Sequence, residues 1–212
     1  NHVVLQSAQP QSSHVHTIGV NVDADAQYAA TSVQSGAGLS RTELRVALVG
    51  EGATANLAGL AVALDTEHVD HHILIDHAVP RCTSTQVFRS ILDGHARSVF
   101  TGKVVVRKDA QGTDSEQSNR NLLLSDDAIA NTRPQLEIYA DDVKCAHGAT
   151  IGKLDEDSLF YLRQRGLDPA QARALLMGAF AGEVVDGIQN EGARAFAAKL
   201  VSQRMQAAGG AA

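Results

Sequence analysis

Five short apolar runs, IGVNV from Ile18, LRVALV from Leu44, HHILI from His71, KVVV from Lys103 and QLEIY from Gln135, begin about 26 to 32 residues apart. Inside them apolar residues recur with period two, the pattern of a strand with one buried face, and Gly, Asp, Asn and Ser separate one run from the next. Stacked coils produce such spacing, because each repeat is a unit that buries its face only against its neighbours. Secondary runs lie between, LAVAL at 60–64 and NLLL at 121–124, so each repeat holds two or more short strands. No long helical pattern intervenes before about residue 152, which argues against a helix-connected parallel sheet. The strands either stack coil on coil in a β-helix or form a β-sandwich.

From Asp155 the period becomes helical. Asp155 or Asp157 can cap a helix through SLFYLRQR, which Gly166 would stop. Asp168 followed by Pro169 is a second start, an N-cap residue with proline at the first helical position. This helix places Ala172, Leu176, Phe180 and Val184 on one stripe, with Leu175 and Ala179 beside it. A third, from about Asn190, stacks Ala197, Val201 and Met205, flanked by Phe196 and Leu200, and is expected to fray in the tail AAGGAA. The period change divides the chain into a β core domain, 1–152, and a small C-terminal helical domain, 153–212.

Charge narrows the partners. Eighteen Lys and Arg against 24 Asp and Glu give a net charge of −6 with no block of like charge, so neither nucleic acid nor an anionic membrane surface is an expected partner. The two cysteines, Cys82 and Cys145, form neither a CxxC pair nor a disulfide framework, which fits a reducing, cytoplasmic setting. No apolar stretch approaches the roughly 20 residues that span a bilayer, and the start has no signal-peptide pattern. Without an initiator Met, the sequence is expected to be a piece of a longer chain.

Two motifs invite a chemical reading. In LRVALVGEGATANLAG, Gly50, Gly52 and Ala55 match GxGxxA after a strand-like run, but the next acid, Asp65, follows Gly52 by 13 residues. A dinucleotide unit needs about 20, enough for a helix and a second strand, so these are expected to be turn glycines. HVDHHILIDH holds His68, His71, His72 and His77. Alternation puts His71 and His77 on one face and His72 on the other, so they do not converge within the short distances a metal demands. No GxSxG, HExxH or phosphate-binding GxxxxGK[ST] is present.

DDVKCAHGAT, 141–150, remains. In an extended chain Val143, Cys145, His147, Ala149 and Ile151 share one face, with Cys145 and His147 roughly 6 to 7 Å apart. Thiolate and imidazole both bind iron and iron-sulfur clusters, but two ligands are too few for a closed site. The spacing alone also fits a buried cysteine and a satisfied core histidine.

The segment from Thr113 to Val185 resembles the C-terminal half of the SufD family, subunits of the SufBCD complex that assembles iron-sulfur clusters. PQLEIYADDVKCAHGAT and LFYLRQRG carry the resemblance, in the family's order. The paralogous SufB family has a similar tail but differs where this chain reads DDVKCAHGAT. GEGATANLAGL and GKVVV extend a weaker likeness over about residues 15–112.

The resemblance implies a mainly β fold, a right-handed parallel β-helix followed by the small helical domain. It implies a non-catalytic scaffold that pairs with SufB through the β-helices and carries a SufC ATPase on its C-terminal helices. His147 matches the family histidine that faces a SufB cysteine at the site of nascent cluster assembly, and Cys145 matches the cysteine beside it. The helices from Ser158 to Val185 would be the SufC dock, through Phe160, Tyr161, Arg163, Arg165, Leu176 and Phe180. No cofactor is expected to bind stably in isolation, the cluster being transient in the complex, and without SufB the exposed edges favour a homodimer. Two other functions stand beside this one: a nucleotide-cofactor oxidoreductase using GEGATA, and a β-helix interaction module in which Cys145 and His147 only pack.

Overall fold

The computed structural model describes residues 1–209. Eleven strands precede three helices: β1 (His2–Ser7), β2 (Ser13–Val22), β3 (Gln27–Ser35), β4 (Leu39–Leu48), β5 (Thr54–Ala63), β6 (His68–His77), β7 (Thr83–Leu92), β8 (Arg97–Val106), β9 (Thr113–Leu123), β10 (Ile129–Ile138), β11 (Val143–Gly152), α1 (Glu156–Gln164), α2 (Pro169–Val185) and α3 (Glu191–Gly209). Odd strands form one sheet, β1-β3-β5-β7-β9-β11, and even strands the other, β10-β8-β6-β4-β2. Every pairing is parallel and joins a strand to the next but one in sequence. Parallel pairing excludes the sandwich, and the chain is a β-solenoid of about five turns.

All five primary runs lie in the even sheet, as β2, β4, β6, β8 and β10, and both secondary runs lie in the odd one. The even sheet alternates cleanly because only its inner face is covered. Leu44, Val46 and Leu48 of β4, with Ile73 and Ile75 of β6, point into the solenoid. Its outer face carries charge ladders such as Arg41 with Asp70 and Lys103 with Glu137. The odd sheet is buried on both faces over the C-terminal parts of β3, β5 and β7. Val33, Leu60, Val62, Ile91 and Leu122 face outward but lie under Met177, Ala181 and Val184 of α2 and Ala197, Leu200 and Val201 of α3. A strand covered on both sides reads as a continuous apolar run, as LAVAL does.

One corner repeats in four successive turns. Asp25, Gly52, Arg81 and Gly112 adopt positive φ, from 55° to 73°. Their backbone N–H groups donate in succession to the carbonyls of Glu51, Pro80, Gln111 and Asp142 in the following coil. The glycines of GEGATA belong to this corner. Gly52 supplies the left-handed backbone, and a Cβ on Gly50 would collide with the Ala24 backbone of the coil before it.

The helices begin where their caps predict. Asp155 accepts from Ser158 N at 3.0 Å, Asp168 forms a reciprocal capping box with Gln171, and Asn190 Oδ1 accepts from Ala193 N at 2.9 Å. The α2 stripe is rotated from the expected one. Ala172 and Val184 are buried, but burial runs through Met177, Ala181 and Val185, leaving Leu176 and Phe180 half-buried and Leu175 and Ala179 exposed. The reason is that α2 is apolar around most of its circumference, so periodicity selects no single face. In α3, Ala197, Leu200 and Val201 are buried, Met205 is half-buried and Phe196 is exposed. The helix continues through residue 209, and the remainder of the tail, 210–212, lies outside the described residues.

Candidate iron-sulfur assembly site

β11 is the last strand of the odd sheet and β10 the last of the even one. Among the described residues nothing follows them in either sheet, so the solenoid ends in two unpaired parallel edges. Ile129, Ile138, Tyr139 and Ile151 are exposed at this end.

The interior face of β11 presents Val143, Cys145, His147, Ala149 and Ile151, in register with Thr113, Ser115, Gln117, Asn119 and Asn121 of β9. Cys145 and His147 therefore share a face, as the spacing requires. Cys145 is half-buried against Val104, Val106, Ala110 and Ala140, whereas His147, two residues further along the same strand, is exposed. Burial, and secondarily the Asp114 carboxylate, push the Cys145 thiol above its ordinary value. It is thus protonated at neutral pH and must lose that proton to bind a metal. The other cysteine, Cys82, is fully buried, and its Sγ donates to Gly50 O at 3.4 Å in the repeating corner.

Behind these two residues runs a buried polar core that the apolar pattern did not reveal. Ser84, Gln86, Ser115, Gln117, Asn119 and Asn121 are all nearly inaccessible. His77 Nε2 lies 2.9 Å from Ser84 Oγ, which lies 2.9 Å from Ser115 Oγ. A signal for it exists in the sequence: STQ at 84–86, SEQ at 115–117 and CAH at 145–147 occupy one register. Cys145 and His147 thus take the place that Ser and Gln hold in the two preceding coils.

The histidines of β6 divide across the sheet as expected. His71 and His77 are buried with Ile73 and Ile75, while His72 faces outward beside Asp70, 3.2 Å away. Among the described residues no group of three or more His, Cys, Asp or Glu converges to hold a metal ion. Burial lowers both interior histidines to about 4, the neighbouring His72 adding to the effect at His71 and Asp76 opposing it at His77. Each stays neutral in the folded chain while its unfolded counterpart protonates near 6.5. Stability is therefore full above pH 6.5 and falls between pH 6.5 and about 4, by on the order of 3 kcal/mol per histidine. Urea midpoints measured across that interval will show the fall, and a His77→Asn variant will show a shallower one.

GEGATA opens no cofactor site of the dinucleotide type. β5 begins at Thr54, directly after the glycines, so no helix N-terminus stands where a pyrophosphate would bind. The helical residues named from the sequence separate into two groups. Phe160, Tyr161 and Arg163 are exposed on α1, which buries no residue, and the exposed Arg165 at its C-cap stacks on Tyr161 at 5.0 Å. Tyr161 and Leu176 line a groove of about 430 Å³ between α1 and α2, with Leu162, Leu175 and Ala179. Phe180 instead packs on the solenoid, 5.9 Å from the Arg89 guanidinium. None of the helices among the described residues is long and apolar enough to cross a membrane.

The comparisons with known proteins agree with this architecture. A family model described as the SUF system FeS cluster assembly, SufBD core domain, matches residues 1–180. An iron-sulfur cluster assembly SufBD family protein of Synechocystis is 40% identical over 187 residues, 88% of this chain and 41% of that protein. The iron-sulfur cluster assembly protein SufD of Escherichia coli is 35% identical over 204 residues, 96% of this chain and 48% of its own. A SufBD family protein of Mycobacterium tuberculosis is 36% identical over 180 residues, 81% of this chain and 45% of its own. The chain spans about half the length of the curated relatives it matches. On the family match over most of its length, and on relatives that include SufD itself, the chain belongs to the SufBD core family of iron-sulfur cluster assembly proteins.

Proposed function

We propose that this chain is a non-catalytic scaffold subunit that supplies part of a ligand set for nascent iron-sulfur clusters, the remainder coming from a SufB partner. One observation carries the reading: His147, with Cys145 beside it, stands on the final interior rung of a solenoid whose two last strands have free edges. His147 is the principal ligand, since it is exposed and imidazole is a common metal ligand. Cys145 is the weaker second, because its thiol is half-buried and holds its proton.

The solenoid, 1–152, serves as the pairing module. The edges of β10 and β11 carry unused backbone donors and acceptors, with Ile138, Tyr139 and Ile151 available to cover the junction. The helices, 153–212, serve as the docking module for a SufC ATPase. Exposed Phe160 and Tyr161 and the groove between α1 and α2 offer a helix-mediated contact. Movement of the docked ATPase would then open or strain the junction at the solenoid end. A packing role for Cys145 is the second reading, favoured by its contacts with Val104, Val106 and Ala140.

Chemical reconstitution of the isolated protein with iron and sulfide tests the shared-site reading. Far less than one cluster per chain is expected, because half the ligands are missing. A stoichiometric cluster that survives His147→Ala would overturn it.

A further inference from the structure

The two interior columns that end in Cys145 and His147 change character along the solenoid. On β5 the corresponding positions are Ala55 and Leu57, which pair with Ser84 and Gln86 of β7. Ser115 and Gln117 of β9 follow, and then Cys145 and His147. In these two columns polarity begins at β7 and continues to the open end.

Gln86 and Gln117 are 0% and 1% exposed. Gln117 Nε2 donates to Gln86 Oε1 at 3.1 Å, which fixes one side of its amide. Room for that amide comes from Gly102 on β8, where a Cβ would collide with Gln117 Nε2. The other side of the amide is unmade: Gln117 Oε1 is buried and receives no hydrogen bond. Buried acceptors are nearly always satisfied, so this one calls for a donor. The next rung of its column is His147. Among the inward residues of β11, Val143, Cys145, His147, Ala149 and Ile151, only His147 carries a side-chain N–H.

We infer that Gln117 is a positioning residue for His147, its Oε1 accepting the hydrogen bond from one imidazole nitrogen. That bond selects one tautomer and turns the other ring nitrogen, with its lone pair, toward the open end of the solenoid. Ligating imidazoles are commonly oriented by an acceptor on the opposite nitrogen in this way. Gln86 holds Gln117, Gln117 holds His147, and the polar columns become the support of a ligand rather than an unexplained core defect. The inference rests on the ligand role proposed for His147.

Long-range ¹⁵N–¹H spectra of the histidine rings, recorded on the metal-free protein at alkaline pH, report which nitrogen carries the proton. In the wild type the tautomer ratio of His147 is expected to depart about fivefold from that of free imidazole, the worth of one neutral hydrogen bond. Gln117→Leu should return the ratio to the free value, and Gln117→Glu, which keeps an acceptor, should preserve the bias. If Gln117→Leu fails to fold, Gln117→Met removes the acceptor with a more adaptable side chain and is read the same way. An unchanged ratio without the acceptor, or a Gln117→Glu ratio equal to the free value, would overturn the inference. Normal cluster assembly by a His147→Ala complex would overturn the ligand role instead, and would leave the tautomer result standing.

Discussion

Glu183→Ala is expected to destabilise the protein by about 3 kcal/mol and to release the helices from the odd sheet before the solenoid unfolds. The reason lies on β7. Arg89 faces outward, yet α2 covers it so completely that it is 1% exposed. Its Nε donates to Glu183 Oε2 at 3.0 Å and its Nη2 lies 2.5 Å from Glu183 Oε1, while Nη1 donates to Phe88 O at 3.1 Å and Ser118 Oγ at 3.3 Å. Removing the carboxylate leaves a buried guanidinium without a counter-charge. About half of the Glu183 side chain is exposed, so water relieves part of the loss, and the effect falls at the lower end of the range for broken buried pairs. The hydrogen bonds from Arg89 hold the Glu183 carboxyl below its ordinary range, so the clamp is also lost as pH falls through that lowered value.

Amide hydrogen exchange will locate the effect. Protection in α2 and α3 should fall first, with β4, β6 and β8 retaining theirs. Uniform loss across both, or no loss at all, would contradict the clamp. The double variant Arg89→Met, Glu183→Leu should recover most of the stability, because an apolar pair of similar volume removes the buried charge altogether. A second tie of opposite polarity secures α3: buried Glu67, between β5 and β6, accepts from Arg204 Nη2 with both carboxylate oxygens at 2.6 Å.

What the sequence made legible follows from how local each feature is. The five runs of the even sheet announced themselves because one solvated face forces strict alternation. Asp155, Asp168 and Asn190 marked their helices because caps act over three residues. The face of α2 was not legible, since Leu176, Met177, Phe180 and Ala181 are all apolar and the choice among them depends on a sheet 90 residues earlier. The clamps were hidden for the same reason: Arg89 and Glu183 stand 94 positions apart, and Glu67 and Arg204 stand 137 apart.

The candidate site was legible in part. Alternation placed Cys145 and His147 on one face, but it left open whether that face was sealed. Only the strand order shows that β11 ends its sheet, which is why His147 is exposed while its register partner Gln117 is buried. The polar columns escaped notice because serine, glutamine and asparagine read as turn or surface residues until the coil period aligns them. Once STQ, SEQ and CAH are set in register, the substitution of ligand types for Ser and Gln in the last coil is visible in the sequence itself.

The second large effect concerns assembly. His147→Ala is expected to leave the fold intact, because the side chain is exposed at the end of the solenoid and lies outside the apolar clusters of the core. Its consequence should appear only where the ligand set is complete. The decisive measurement is iron and acid-labile sulfide in the complex co-purified with SufB and SufC, wild type against His147→Ala. A shared site predicts that the variant complex assembles but retains at least roughly tenfold less iron and sulfide, since losing even an outer-shell partner of a ligand costs about that much. Equal iron and sulfide in the two complexes would contradict it.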